Sequence, residues 1–147
     1  MDPSLEADHK GSGLLVMVGV DGSDCATRAV EFAARQAAGF DLPLLVVCAY
    51  HEIPAAGGFV LEGGVIHESA EAIVADALGL VQDLEPGVVA KGETVLGAPG
   101  PVLAHLSHEA TILVVGTRGH SEVAGIVLGS VSQYVLHHAA CDTVIVR

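Results

Sequence analysis

Gly116, Gly119, Gly129 and Ser130 stand in the spacing Gly-x2-Gly-x9-Gly-Ser, and far upstream Asp21-Gly22-Ser23 forms a second polar cluster. Glycines let backbone N–H groups approach an anion with no Cβ in the way. The stretch that follows, Ser130 to His138 (SVSQYVLHH), reads as a short helix. A helix N-terminus offers unpaired N–H groups and the positive end of the helix dipole. The hydroxyls of Ser130 and Ser132 add donors, and Arg118 is the sole basic residue between Lys91 and Arg147. The chemistry these residues support is the holding of a phosphate-bearing anion. The pattern is neither a P-loop, which needs Gly-Lys-Ser/Thr, nor the dinucleotide GxGxxG.

The same residues also have plainer readings. Ser130 with Gln133 makes the capping box S-x-x-Q, which by itself accounts for the serine as a helix cap. Asp21 ahead of Gly-Ser can serve simply to start a turn. The eight histidines include His105 with His108 and the adjacent His137 and His138, but no HExxH and no tight ligand cluster. His120 reads as a solvated loop residue, and Glu68, Glu71 and Asp76 as the wet face of an amphipathic helix.

The elements that must position the glycine loop follow from the apolar pattern. Leu14 to Val20 and Leu42 to Tyr50 are apolar runs that read as buried strands, the second with Pro43 at its start, where a missing donor is tolerated. Between them, Ala26, Ala29, Val30, Ala33 and Ala37 recur at helical spacing, with Gly39 expected to stop the helix. His51 to Gly64 carries a proline and four glycines and reads as a loop. A longer helix is expected over about Ile66 to Leu84, ended by Pro86 and Gly87. Val88 to Leu96, bearing Lys91 and Glu93, reads as an edge strand. A short helix with Val102, Leu103 and Leu106, the strand Thr111 to Val115, the final helix and a last strand, Thr143 to Arg147, complete the order.

Strict alternation of strand and helix predicts an α/β fold built on one open parallel sheet with helices on both faces. Such a sheet binds ligands beyond the carboxyl ends of its strands, where strand order reverses. If the first and fourth strands are neighbours there, Asp21 and the glycine loop face one crevice.

Composition narrows the function. The chain has 147 residues, enough for one domain, with 51% hydrophobic but only 3% aromatic residues, so its core is aliphatic. A net charge of −12 argues against nucleic acid and anionic membrane as partners. No apolar run reaches membrane-spanning length. Residues 1–13 are acidic, lack the layout of a signal peptide and are expected to form a flexible leader ahead of a domain over 14–147. Cys25, Cys48 and Cys141 show no metal spacing and fit a reducing cytoplasm.

From about Leu14 to Arg147 the chain resembles the universal stress protein family. The resemblance rests on VGVDGS at Val18 to Ser23, on the spaced glycines from Gly116 to Ser130, and on the closing SVSQYVLHHAACDTVIVR. It implies a five-stranded parallel sheet of order 3-2-1-4-5, adenine nucleotide alpha hydrolase-like, that binds ATP; Mg²⁺ bridging the phosphates would reduce the charge problem, since that ion relies on phosphate oxygens and one carboxylate. It also implies roles by position. Asp21 would accept hydrogen bonds from the ribose or adenine end, and Val20 and Ala49 would pack near the base. Val115, Gly116, Arg118 and Gly119 would border the ribose and phosphates, and Gly129, Ser130, Val131 and Ser132 would close around the phosphates.

The resemblance further implies a cytoplasmic homodimer paired through its final strand, acting in the stress response by binding rather than turnover. Slow ATP hydrolysis or phosphoryl transfer in the same crevice, and a nucleotide-free dimerisation module, are the alternatives. One departure from the family pattern lies at Ala139-Ala140-Cys141-Asp142, where prolines are common, and it leaves the geometry of the last turn open.

Overall fold

The computed structural model describes residues 14–52, 65–119 and 128–147. The expected leader over 1–13 and most of the loop expected after the second strand lie outside the described residues. In chain order the elements are β1 (Val16–Gly19), α1 (Asp24–Phe40), β2 (Leu44–Tyr50), α2 (His67–Leu84), β3 (Ala90–Leu96), α3 (Pro99–Leu106), a single 3-10 turn (Ser107–Glu109), β4 (Ile112–Gly116), α4 (Ser130–His138) and β5 (Asp142–Val146). All four strand pairings are parallel, and the sheet order is β3-β2-β1-β4-β5. The predicted α/β sheet and its 3-2-1-4-5 order are therefore present, with β3 an edge strand as its Lys and Glu suggest.

The central strands are buried on both faces, which is why they read as unbroken apolar runs. Val16, Val18, Leu44, Val46 and Val114 pack beneath α1 and α2. Leu15, Met17, Leu45, Val47, Leu113 and Val115 pack beneath α3 and α4, against Leu103 and Val135. Each fully buried aliphatic side chain stabilises the fold by roughly 1.5–3 kcal/mol relative to exposure. Small residues bring the layers close together. A Cβ on Gly92 of β3 would collide with Val74 of α2, and one on Gly100 of α3 would sit 2.9 Å from the Tyr134 ring of α4.

Two local expectations need correction. The helix α1 runs through Gly39 and ends at Asp41, which takes the left-handed conformation (φ 55°), while Leu42 N–H donates to Ala37 O at 2.9 Å. Aspartate tolerates that conformation better than most side chains, so glycine is not needed at the stop. Ser130 is not the cap of α4. The N-cap is Gly129, in extended backbone with no side-chain cap bond, and Ser130 is the first helical residue.

The last turn, whose geometry the sequence leaves open, dispenses with proline for a visible reason. Ala140 N–H donates to the buried Ser107 Oγ at 2.8 Å, and Ser107 Oγ–H in turn donates to Ala104 O at 2.6 Å. A proline at 140 has no N–H to make that tie between α3 and the approach to β5.

Candidate functional site

The switch point lies between β1 and β4, which pair directly, with α1 leaving β1 on one face and α4 following β4 on the other. On the β1 side, Gly22 has φ 85°, a conformation suited to glycine, and Ser23 caps α1 by accepting from Ala26 N–H at 3.2 Å. Asp21 Oδ1 accepts from Ser23 N–H at 2.9 Å, so the turn-starting reading of this residue is realised. Its second carboxylate oxygen has another place. A Cβ built on Gly119 would collide with Asp21 Oδ2, so the carboxylate lies directly against the glycine loop. The two polar clusters, 98 positions apart by subtraction of 21 from 119, share one crevice.

On the β4 side, Thr117 is the hub. Its N–H donates to Val146 O of β5 at 2.8 Å, and its carbonyl accepts from Gly129 N–H at 2.6 Å. The same carbonyl lies 3.0 Å from Ser132 Oγ, whose hydroxyl is also 2.9 Å from Gly129 O. Ser132 is 1% exposed, so its hydroxyl fastens the start of α4 to the end of β4. The first intrahelical bond of α4 runs from Gln133 N–H to Gly129 O at 3.0 Å. The N–H groups of Ser130, Val131 and Ser132 therefore have no acceptor within the helix and form the positive end of its dipole. Arg118 and Gly119 stand beside them, since a Cβ on Gly129 would lie 3.4 Å from Arg118 Cα and 3.8 Å from Gly119 N.

The three signature glycines answer to different neighbours. A Cβ on Gly116 would sit 2.8 Å from Cys25 Cβ and 2.9 Å from Cys25 C, so this glycine lets β4 pass the first turn of α1. Gly119 makes room for Asp21. Gly129 is not demanded by its own backbone (φ −75°, ψ 170°), and a Cβ there meets only ordinary contacts. Val20 and Ala49 lie at or beyond the ends of β1 and β2, both nearly buried, and Val115 is buried in β4. All the expected site residues thus fall at the carboxyl end of the sheet, on β1, β2, β4 and the start of α4.

Two groups near the crevice escape a reading along the chain. Arg118 is not alone, because tertiary packing brings Arg28 close. Arg28 Nη2 donates to Cys25 Sγ at 3.1 Å, Arg28 Nε donates to Arg147 O at 3.0 Å, and Cys25 Sγ lies 3.7 Å from Thr117 Oγ1. The helical i, i+3 spacing from Cys25 to Arg28 was the available hint. The second is His51, just past β2, whose position one step from the predicted strand carried no signal.

The negative charge of Asp21 is felt inside the sheet. Burial, followed by the negative charge of Asp21, pushes the Cys48 thiol up to about 11. Cys48 is fully buried in the core, so it stays protonated at neutral pH. A depression of about 540 Å³ lies at the opposite pole, between Ala38, Pro43 and Val88, where strands begin rather than end. A smaller one of about 190 Å³ between Val20, Gly22, Thr27 and Asp76 adjoins the Asp21 turn. Strand polarity and helix dipole select the Asp21 end for an anion.

Residues 15–147 match the sequence profile of the Universal stress protein family. A universal stress protein of Mycobacterium tuberculosis strain H37Rv is 35% identical over 150 residues, covering 92% of this chain and 48% of the relative. Another, from Mycobacterium bovis, is 30% identical over 132 residues, covering 90% and 45%. The chain spans about half the length of these curated relatives. A crystal structure of a universal stress protein in complex with cAMP is 34% identical, covers 92% of this chain and 99% of its own, and superposes with a TM-score of 0.70.

Proposed function

Because the chain belongs to the universal stress protein family, we propose that it is an adenine-nucleotide-binding regulatory protein that acts by binding rather than turnover. The contact of Asp21 with Gly119 beside the amides of Ser130, Val131 and Ser132 carries this reading. It puts an acceptor for ribose hydroxyls next to an array of phosphate donors. Val20, Ala49 and Val115 give the nucleoside an apolar floor, and Gly116, Arg118 and Gly119 border the ribose and phosphates. The Gly129 backbone leaves the phosphates room.

ATP is the proposed ligand, with cAMP or AMP occupying the same cradle through fewer phosphates. The structure that binds cAMP at 34% identity supports the adenine class. Mg²⁺ on the phosphates of ATP needs few protein ligands, and Asp21 is the carboxylate beside the loop. Binding rather than hydrolysis fits a crevice whose described cations are Arg118 and the already engaged Arg28. Efficient phosphoryl transfer uses several positive groups and a residue that orients the nucleophile.

The proposed assembly is a homodimer through β5. That strand is a sheet edge whose Val144, Ile145 and Val146 are only half-buried, an apolar margin that a second copy would cover.

The test is calorimetric titration of the protein with Mg·ATP, AMP and cAMP, repeated with Asp21→Ala. Saturable binding that weakens in the variant is expected. Absence of saturation with all three ligands at millimolar concentration would refute the reading.

A further inference from the structure

One polar atom at the carboxyl end of β2 is left unused by the fold. His51 Nε2 is buried and is the one buried side-chain nitrogen or oxygen without a hydrogen-bond partner among the described residues. Folding rarely leaves such an atom unpaired, because the lost hydration is not recovered. The His51 backbone is held in place: its N–H donates to Val65 O at 2.9 Å, and the residue bridges to Ile66 just ahead of α2.

Strand alternation decides which way His51 faces. Leu45 and Val47 pack into the layer of α3 and α4, and alternation carried one residue past the end of β2 at Tyr50 puts His51 on that same face. Tyr50 belongs to the other face, where its ring lies 4.5 Å from that of His67. His51 therefore shares a sheet face with α4, whose N-terminus forms the phosphate cradle. The strands β4 and β2 flank β1, so two strand spacings, about 9–10 Å, separate cradle from imidazole. A nucleotide laid across the strand ends, with its phosphate at α4 and its ribose over Asp21, brings its base to β2.

We propose that His51 is the specificity-determining residue of the site, its Nε2 hydrogen-bonding the polar edge of the adenine base. The proposal rests on the nucleotide reading above. In the tautomer protonated at Nδ1, Nε2 accepts from the adenine N6 amino group, and the O6 carbonyl of IMP or GMP leaves it unpaired.

The experiment titrates wild type, His51→Phe and His51→Gln with AMP, IMP, GMP and ribose 5-phosphate, and follows the imidazole nitrogen resonances of the wild type. Wild type is expected to favour AMP. His51→Phe is expected to lose about tenfold in AMP affinity, together with the preference over IMP and GMP. It should keep its affinity for ribose 5-phosphate, which also shows that the variant is folded. His51→Gln is expected to recover part of the AMP affinity, and the wild-type Nε2 signal should move with AMP but not with ribose 5-phosphate.

Unchanged AMP affinity and base preference in His51→Phe overturns the proposal while leaving the nucleotide reading intact. So does an equal loss for AMP and ribose 5-phosphate, which marks a purely structural role. Failure of the wild type to bind either AMP or ribose 5-phosphate overturns both.

Discussion

Gly129→Ala separates the demands of the fold from the demands of a ligand. At φ −75° and ψ 170° alanine adopts the native backbone without strain, and its Cβ would find its nearest neighbours at 3.4 Å, an ordinary contact. Replacing glycine by alanine at a compatible position stabilises by roughly 0.4–1 kcal/mol, through the smaller entropy of the unfolded chain. But Gly129 is the N-cap of α4, where alanine is worse than glycine by a similar amount. The two effects nearly cancel, so Tm without ligand is expected to stay within about 2 °C of wild type. The new methyl group, however, stands between the start of α4 and the backbone of Arg118 and Gly119, where phosphate is proposed to sit. A steric conflict of roughly 1–3 kcal/mol there weakens AMP binding by about 5- to 150-fold.

Gly116→Ala is the control with the opposite signature. Its Cβ would meet Cys25 at 2.8–2.9 Å, and part of that contact is backbone, which cannot rotate away. A loss of roughly 1–3 kcal/mol lowers Tm by about 2–12 °C. The assay is thermal unfolding of both variants without ligand, paired with AMP titration well below Tm. The reasoning fails if Gly129→Ala falls in Tm as far as Gly116→Ala, or binds AMP as wild type does.

Other outcomes follow from the same contacts. Ser132→Ala removes a buried donor to Thr117 O, whose remaining partner is Gly129 N–H. A loss of about 1 kcal/mol, or roughly 2–4 °C in Tm, is expected by calorimetric unfolding. The Cys48 thiol, raised from 9.0 to about 11, holds its proton more tightly when folded than when unfolded. Its contribution is therefore complete below pH 9 and is lost as pH rises toward 11. Denaturant titrations of wild type and Cys48→Ala across that window should show a shallower alkaline decline in the variant; parallel declines would count against it. Ile145→Lys places two like charges near the proposed β5 pairing and should shift sedimentation from dimer to monomer. A dimer that persists unchanged points to another surface.

Much of this protein is determined by the chain alone. Within the aliphatic runs, Leu15 to Val18 and Leu113 to Val115 are buried on both faces, so burial writes directly into composition there. The glycine spacing and the helix after Ser130 are legible because loop and helix start are local features. Three-dimensional packing decided the rest. The strand order put β1 beside β4 and brought Asp21 against Gly119 across 98 positions of sequence, obtained as 119 minus 21.

Packing also assigned each glycine its reason: Cys25 for Gly116, Asp21 for Gly119, and no protein neighbour that forbids a side chain at Gly129. It moved the cap of α4 from Ser130 to Gly129, because Thr117 O takes the Gly129 N–H and fixes where the helix begins. It brought Arg28 Nε to Arg147 O and Cys25 Sγ to Thr117 Oγ1, and left His51 Nε2 without a partner. Periodicity records which face of an element is wet or dry, a property of single residues. Which side chains meet depends on how elements pack, and that is set by contacts between residues the chain itself holds far apart.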